Sequence, residues 1–311
     1  MNNRLAQELV RAFWDSQPCD SGLSTHENRS RAYFADIERR RYELQPHIPR
    51  MLSGIAWRGR RVLEIGTGVG TDARFIIDRG GSYTGVNIDQ GSTEMTAAAL
   101  RAFSLPGTVL RQDATALQFP DASFDVVYSF GVLHHIPEAH KAVAEIHRVL
   151  KPGGVLLVMV YNRTSINYAV EIMFLRRIGV RLLALPGVSE WLARIGFPRE
   201  KLERHASLRK QRGRMSPEEW LSRNTDGPDN PYSRVYDAAE IEALLAPFDI
   251  AAHDVYFFDR RHWGPLGGLL PRFVVDVLGR RWGWHRVVRA RKRSESTRAP
   301  RAGAALESRR G

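Results

Sequence analysis

The segment Glu64-Ile-Gly66-Thr-Gly68-Val-Gly70-Thr-Asp72 limits what this chain can fold into more than any other. It follows a short apolar run, Arg61-Val-Leu-Glu-Ile65, and precedes a stretch with helical spacing, Thr71 to Arg79. Glycines at alternate positions let the backbone turn tightly and approach a ligand closely, because no Cβ intervenes. Open α/β sheets bind ligands outside the carboxyl ends of their strands, where such a turn lies. A dinucleotide fold would want Gly-x-Gly-x-x-Gly with a small third residue at position 71, where Thr71 stands. A triphosphate-binding loop would end in Gly-Lys-Ser/Thr, which is not present. Nicotinamide and nucleotide-triphosphate readings both lose ground.

The surrounding pattern alternates. Tyr83 to Ile88 reads as a second strand, followed by a helix through about Phe103. Thr108 to Arg111 and Phe124 to Ser129 read as strands three and four. Pro137 to Leu150 is an amphipathic helix with Val143, Ile146, Val149 and Leu150 on one side, ended by Lys151-Pro-Gly-Gly154. Val155 to Val160 is a fifth strand, apolar on both faces as a central parallel strand should be. Strands alternating with helices predict a doubly wound α/β sheet. Residues 4–14 and 30–44 read as N-terminal helices, and 165–222 as helices rich in Leu, Ile and Arg. Asp237 to Leu245 reads as a helix, and Asp249 to Phe258 and Trp284 to Ala290 as two closing antiparallel strands.

Charge is unevenly spread. Over 311 residues the net charge is +12, yet residues 163–214 carry 12 basic and 4 acidic side chains and residues 280–311 carry 11 and 2. The remainder is mildly acidic, so the whole-chain value is not by itself the mark of a nucleic-acid binder. With 41 arginines against 5 lysines, the bias is also what a GC-rich genome gives. The single cysteine, Cys19, excludes an intramolecular disulfide framework and a multi-thiolate zinc site. The first residues lack the apolar core of a secretory signal, and the apolar run Val155–Tyr161 is far short of the ~20 residues of a membrane span. A soluble cytoplasmic protein is expected.

Val62-Leu-Glu-Ile-Gly-Thr-Gly-Val-Gly70 resembles the first motif of class I S-adenosylmethionine-dependent methyltransferases. Gln112-Asp-Ala114, Phe119-Pro-Asp-Ala-Ser-Phe-Asp-Val-Val-Tyr128, Phe130-Gly-Val-Leu-His-His135 and Glu145-Ile-His-Arg-Val-Leu-Lys-Pro-Gly-Gly154 resemble later motifs of the small-molecule, UbiE-like branch, in order and spacing. The resemblance covers about residues 50–161. It implies a Rossmann-like sheet with closing antiparallel strands and S-adenosylmethionine as cofactor. The backbone of Gly66, Thr67, Gly68 and Gly70 would lie against the methionine and ribose portion, with Glu64 beneath it. Asp113 and Ala114 would hold the adenine; Ile88 and Phe130 would line the pocket. The acidic residue that usually closes the second strand and takes the ribose hydroxyls is here Asn87, or Asp89 if the strand is offset.

The expected organisation is then an N-terminal helical lid (1–50), a cofactor-binding core (51–161), a helical substrate-recognition insertion (162–235), the end of the core (236–292) and a disordered basic tail (293–311). Methyl transfer needs positioning and sometimes a base. His135 is the candidate base and His134 a weaker one, the alternative for both being the pocket wall; no third ligand marks the pair as a metal site. Trp14 and Cys19 would line the lid, and Cys19 is not expected as a catalytic thiol. The apolar stretch Ile166–Leu185, interrupted by Arg176, Arg177 and Arg181, reads as a core or dimer helix, a substrate cover or a peripheral membrane contact. Those arginines would suit an acceptor that is partly apolar and partly anionic. The expected function is methylation of a small-molecule or lipid-like acceptor, in secondary-metabolite, quinone or lipid biosynthesis. A nucleic-acid methyltransferase, disfavoured because the base-modifying signature is absent after strand four, and a non-catalytic cofactor-binding protein are the alternatives.

Overall fold

A computed structural model describes residues 2–294 apart from positions 184, 197, 198, 214 and 264. The tail expected over 293–311 lies outside the described residues, save Arg293 and Ser294. Strands β1 (Arg61–Ile65), β2 (Ser82–Asn87), β3 (Thr108–Arg111), β4 (Phe124–Phe130) and β5 (Leu150–Tyr161) run parallel. Strands β6 (Phe248–Tyr256) and β7 (His285–Lys292) close the sheet, with β7 antiparallel to both β5 and β6, in the order β3-β2-β1-β4-β5-β7-β6. The central strands are apolar on both faces because both faces are covered. Val62, Val126, Leu157 and Val287 point to one core; Leu63, Val127, Val158 and Val288 point to the other.

The helices follow in chain order. Helices α1 (Asn3–Ser16), α2 (Arg31–Leu44) and α3 (His47–Ser53) precede the sheet. Within it lie α4 (Thr71–Asp78), α5 (Gln90–Ala102) and α6 (Ala139–Val149). Short polar caps start several of them: Ser30 accepts from the Tyr33 N–H for α2, and Asp89 from the Ser92 N–H for α5. α6 buries Ala142, Val143, Ile146 and Val149, the stripe that its spacing predicts. Strand β5 begins earlier than Val155: Leu150 pairs with Phe124, and Lys151-Pro-Gly-Gly154 is a bulge in the strand rather than a stop before it.

Two excursions leave the carboxyl end of the sheet. The first holds a π-helical segment (Asn167–Leu175) that continues into α7 (Arg176–Leu182), then α8 (Val188–Arg194), α9 (Arg199–Arg212) and α10 (Pro217–Ser222). Its ends are pinned: Asn162 and Tyr236 form a bridge, with the Tyr236 N–H on the Tyr161 carbonyl at 2.8 Å. Helix α11 (Ala238–Leu244), started by an Asp237/Glu240 capping box, then leads into β6. The second excursion joins β6 to β7 through α12 (Pro265–Gly268) and α13 (Arg272–Trp282). Sequence spacing did not mark α13, because Phe273 and Val277 face outward instead of forming a buried stripe.

Helix α2 is tied to the sheet by buried charge. Asp72, at the start of α4, accepts from Arg41 (3.0 Å), from the Tyr42 hydroxyl (2.9 Å) and from the Tyr128 hydroxyl (2.8 Å), while Arg41 also reaches Asp20 (2.7 Å). Removing one partner of a buried pair leaves the other charge uncompensated. Asp72→Ala is expected to cost about 3 kcal/mol of stability in urea denaturation, whereas Glu94→Ala, which breaks the exposed pair with Arg29, should cost less than about 1 kcal/mol.

Candidate active site

The strand order reverses between β1 and β4, and a cavity of about 300 Å³ opens there, above the carboxyl ends of β1, β2, β4 and β5. Glu64, Gly66, Thr67, Gly68, Asn87, Ile88, Asp113, Ala114, Phe130 and His135, all expected site residues, line it. Two expected residues do not. Gly70, at φ +80°, makes the left-handed turn into α4 and packs against Thr96 and Ala99, so its role is in the joint rather than the cleft. His134 lies fully buried beneath the cleft wall, its ring stacked 3.7 Å from that of Tyr161. Burial holds its pKa well below the usual histidine range, so it is neutral and out of reach of a bound molecule.

The glycine loop is shaped by close approach. A Cβ on Gly66 would fall 2.1 Å from Val132 Cγ2, and its φ is +77°. Gly68, at φ +54°, lies against Cys19: a Cβ there would fall 3.4 Å from the Cys19 Cβ. The loop is held by Asn87 in a way the sequence did not suggest. Asn87 Oδ1 accepts from the Thr67 N–H at 2.8 Å, and its Nδ2 donates to Thr67 Oγ1 at 2.7 Å. Asn87 thus supports the loop. Asp89 caps α5 through one carboxylate oxygen, 2.6 Å from the Ser92 N–H, and also lines the cleft. Below the loop, Glu64 accepts from the Tyr83 hydroxyl at 2.6 Å. Burial, with the Asp72 carboxylate nearby, pushes Glu64 up to about 8, so without a cation beside it the carboxyl holds its proton at neutral pH.

Helix α1 covers this end of the cleft. Its Gln7 amide donates to the Asp113 carboxylate, whose other oxygen accepts from the Thr115 N–H and hydroxyl at 2.8 Å each. Asp15 accepts from the Gly91 N–H at 2.7 Å, and Val10 and Trp14 face the cavity. Cys19 lines the wall too; desolvation there, with the carboxylates of Asp20, Asp226 and Asp72 nearby, pushes its thiol up and away from the thiolate form.

The opposite end is aromatic and is assembled from distant segments. Phe130, Tyr161, Phe257, Trp284 and His285 line it. Tyr161 is stacked 4.3 Å from Trp284, and His285 Nδ1 pairs with His47 Nε2 at 2.9 Å. Between the two ends stands His135. Its Nδ1 meets the Tyr232 carbonyl at 2.8 Å; a carbonyl can only accept, so Nδ1 carries the proton. Its Nε2 then faces Asp226 Oδ2 at 3.5 Å. Asp226 in turn accepts from the Tyr161 hydroxyl at 2.7 Å and from Asn230 at 3.3 Å. No sequence signal marked these residues for the cleft: Asp226, Phe257 and Trp284 reach it from the two excursions, and Tyr161 and His285 stand at the strand ends from which those excursions leave. Arg176, Arg177 and Arg181 do not line it: Arg176 is bound to Glu171 (2.8 Å) and to the Asn224 carbonyl (2.6 Å), and Arg177 lies over Trp220. The cleft's arginine is Arg41, already held between Asp20 and Asp72.

The donor set suits S-adenosylmethionine. Gly66 and Gly68, without Cβ atoms and at positive φ, open the backbone on either side of Thr67, a buried carboxyl at Glu64 lies under the loop, and a carboxylate at Asp113 lies at the far end.

Comparison with known proteins agrees. The model of the methyltransferase domain family matches residues 63–158. An uncharacterized methyltransferase of Mycolicibacterium gilvum is 39% identical over 113 residues, 36% of this chain and 43% of that one. The 2-methyl-6-phytyl-1,4-hydroquinone methyltransferase of Synechocystis is 38% identical over 111 residues, 34% of this chain and 33% of that one. The matched segment thus spans less than half the length of these relatives. Among solved structures, a chain of the complex between the Haloferax volcanii Trm112 methyltransferase activator and a methyltransferase shares the fold, with TM-score 0.54 at 17% identity, covering 91% of this chain and 97% of that one. The glycine loop, the strand order and the matched segment coincide, and the chain carries a class I S-adenosylmethionine-dependent methyltransferase domain of the UbiE-like type.

Proposed function

We propose that this protein methylates a protic nucleophile, a hydroxyl in the first place, on a small acceptor that is largely apolar and lipid-like. The observation that carries the reading is the His135–Asp226 pair placed between the glycine-loop end of the cleft and its aromatic end. When bound, S-adenosylmethionine supplies an electrophilic methyl group. Gly66–Gly68, Glu64, Asp89, Asp113 and Ala114 are the residues that would hold it. His135 Nε2 would take the proton from the acceptor as its oxygen becomes the nucleophile, and Asp226 would stabilise the imidazolium so formed. Tyr161 keeps its phenol proton, since burial and the Asp226 carboxylate raise its pKa well above the usual value, and so orients Asp226 as a donor. Phe130, Phe257 and Trp284 offer the acceptor apolar surface and exclude water. The anionic acceptor suggested by the arginines of the first excursion finds no support in a cleft whose one arginine is already paired. A phytyl-hydroquinone acceptor, named for the Synechocystis relative, falls within the class proposed here.

Four measurements test this reading. Calorimetry should show S-adenosylhomocysteine binding that Gly68→Arg abolishes, and extract incubated with methyl-labelled cofactor should yield a labelled small molecule by mass spectrometry; no binding at millimolar cofactor would sink the proposal. His135→Gln and Asp226→Asn should each lower turnover by about 10²-fold or more with cofactor affinity kept, and His135→Gln should remove the acidic limb of the pH–rate profile. The Glu64 carboxyl is raised in the folded state from the ordinary 4.5 to about 8. The folded protein therefore binds more protons than the unfolded chain between those values, and cofactor-free stability falls as pH rises from 4.5 to 8. In thermal melts Glu64→Gln should lack that decline, and a wild-type profile as flat as the variant's would disprove the raised carboxyl.

A further inference from the structure

Large apolar side chains outside the core are concentrated in the two excursions. Phe174 is 59% exposed, Trp191 58%, Leu269 78% and Phe273 69%, with Leu182 and Trp282 also exposed. The excursions leave the sheet side by side: Tyr161 pairs with His285, and His285 with Tyr256, so both spring from the same end of adjacent strands. They are also clamped together, since Asn167 Nδ2 donates to the Asp259 carbonyl at 3.1 Å and the Asp259 N–H returns to Asn167 Oδ1 at 3.3 Å. The same two segments carry the exposed arginines Arg181, Arg194, Arg272 and Arg281, the last over the ring of Trp282 at 5.1 Å. Glu190 and Asp276 are the exposed carboxylates of 176–195 and 269–282.

We infer that this face docks on an anionic lipid bilayer. Aromatic and aliphatic groups interleaved with arginines are what an interfacial surface requires: the apolar groups enter the acyl boundary while the guanidinium groups meet lipid phosphates. Among the described residues no helix is long and apolar enough to cross a membrane, so the contact is peripheral. Charge selects this occupant over a second copy of the chain, because a two-fold pairing would set arginines against arginines. The face also belongs to the acceptor end of the cleft: Asp226 of the first excursion and Phe257, Asp259 and Trp284 of the second line the cavity. Docking would bring a bilayer-resident acceptor to the aromatic end while the cofactor end stays toward solvent under α1. The inference rests on the proposed lipid-like acceptor, and it names where that acceptor comes from.

The test is flotation of the full chain with phosphatidylcholine vesicles that contain or lack phosphatidylglycerol. Binding is expected to the anionic vesicles, weakened by salt. The triple variant Phe174→Ser, Trp191→Ser, Phe273→Ser should lose at least about ten-fold in partition, and Arg181→Gln, Arg272→Gln, Arg281→Gln about five-fold per arginine removed at low salt. These positions are outside the core and the cleft, and unchanged melting curves and S-adenosylhomocysteine binding would show that both variants remain folded. Wild-type protein that ignores anionic vesicles, a serine variant that partitions like wild type, or self-association through this face in place of vesicle binding would each overturn the inference. Vesicle binding by a protein that fails to bind S-adenosylhomocysteine would support the surface while counting against methyl transfer.

Discussion

A carboxylate in an apolar interior must find partners, and Asp72 finds three from two separate parts of the chain. It sits at the start of α4, directly after the glycine loop, and draws in Arg41 and Tyr42 from α2 and Tyr128 from β4. Arg41 extends the link to Asp20, in the segment between α1 and α2. Helix α2, the glycine loop and the sheet are therefore fixed relative to one another by one network. Burial, together with this negative charge, raises the Glu64 carboxyl, so the network that holds α2 also borders, under the loop, a group ready to ionise beside a cation.

Much of the sheet was legible in sequence because parallel strands buried on both faces are continuous apolar runs, and the glycine loop, Asp113 and the residues after β4 lie at fixed offsets from those runs. The errors have physical causes. Gly70 belongs to the motif, but its conformation serves the turn into α4. His134 and His135 are adjacent, yet the short helical turn from Leu133 to His135 sends one ring under Tyr161 and the other into the cavity. Asn87 marks the end of β2 as its position suggested, but its amide is taken up by Thr67.

The aromatic end of the cleft was not legible. Asp226 lies in no periodic pattern, Phe257, Trp284 and His285 read only as strand residues, and all four reach the cleft through contacts of long sequence separation, such as Tyr161 to Asp226 and His47 to His285. The arginine-rich stretch 163–214 was legible as a composition shift, but charge alone did not tell whether those side chains face a ligand, a neighbouring helix or the outside. Arg176 answers to Glu171 and Asn224, Arg177 to Trp220, and Arg181 is exposed.

The bridge between Asn162 and Tyr236 separates two problems that a single chain must solve. Because the first excursion starts and ends at neighbouring backbone positions, its length and content can change while the sheet's strand register is untouched. Closing a loop of twice the length costs only about 0.6 kcal/mol more. On the function proposed above, the excursion's share of the acceptor surface could therefore diverge by insertion, deletion or wholesale exchange, and the sheet that carries the glycine loop need not be rebuilt each time. The chain can thus vary this excursion at nearly constant stability, which makes the excursion, rather than the glycine loop, the place where one descendant would come to differ from another.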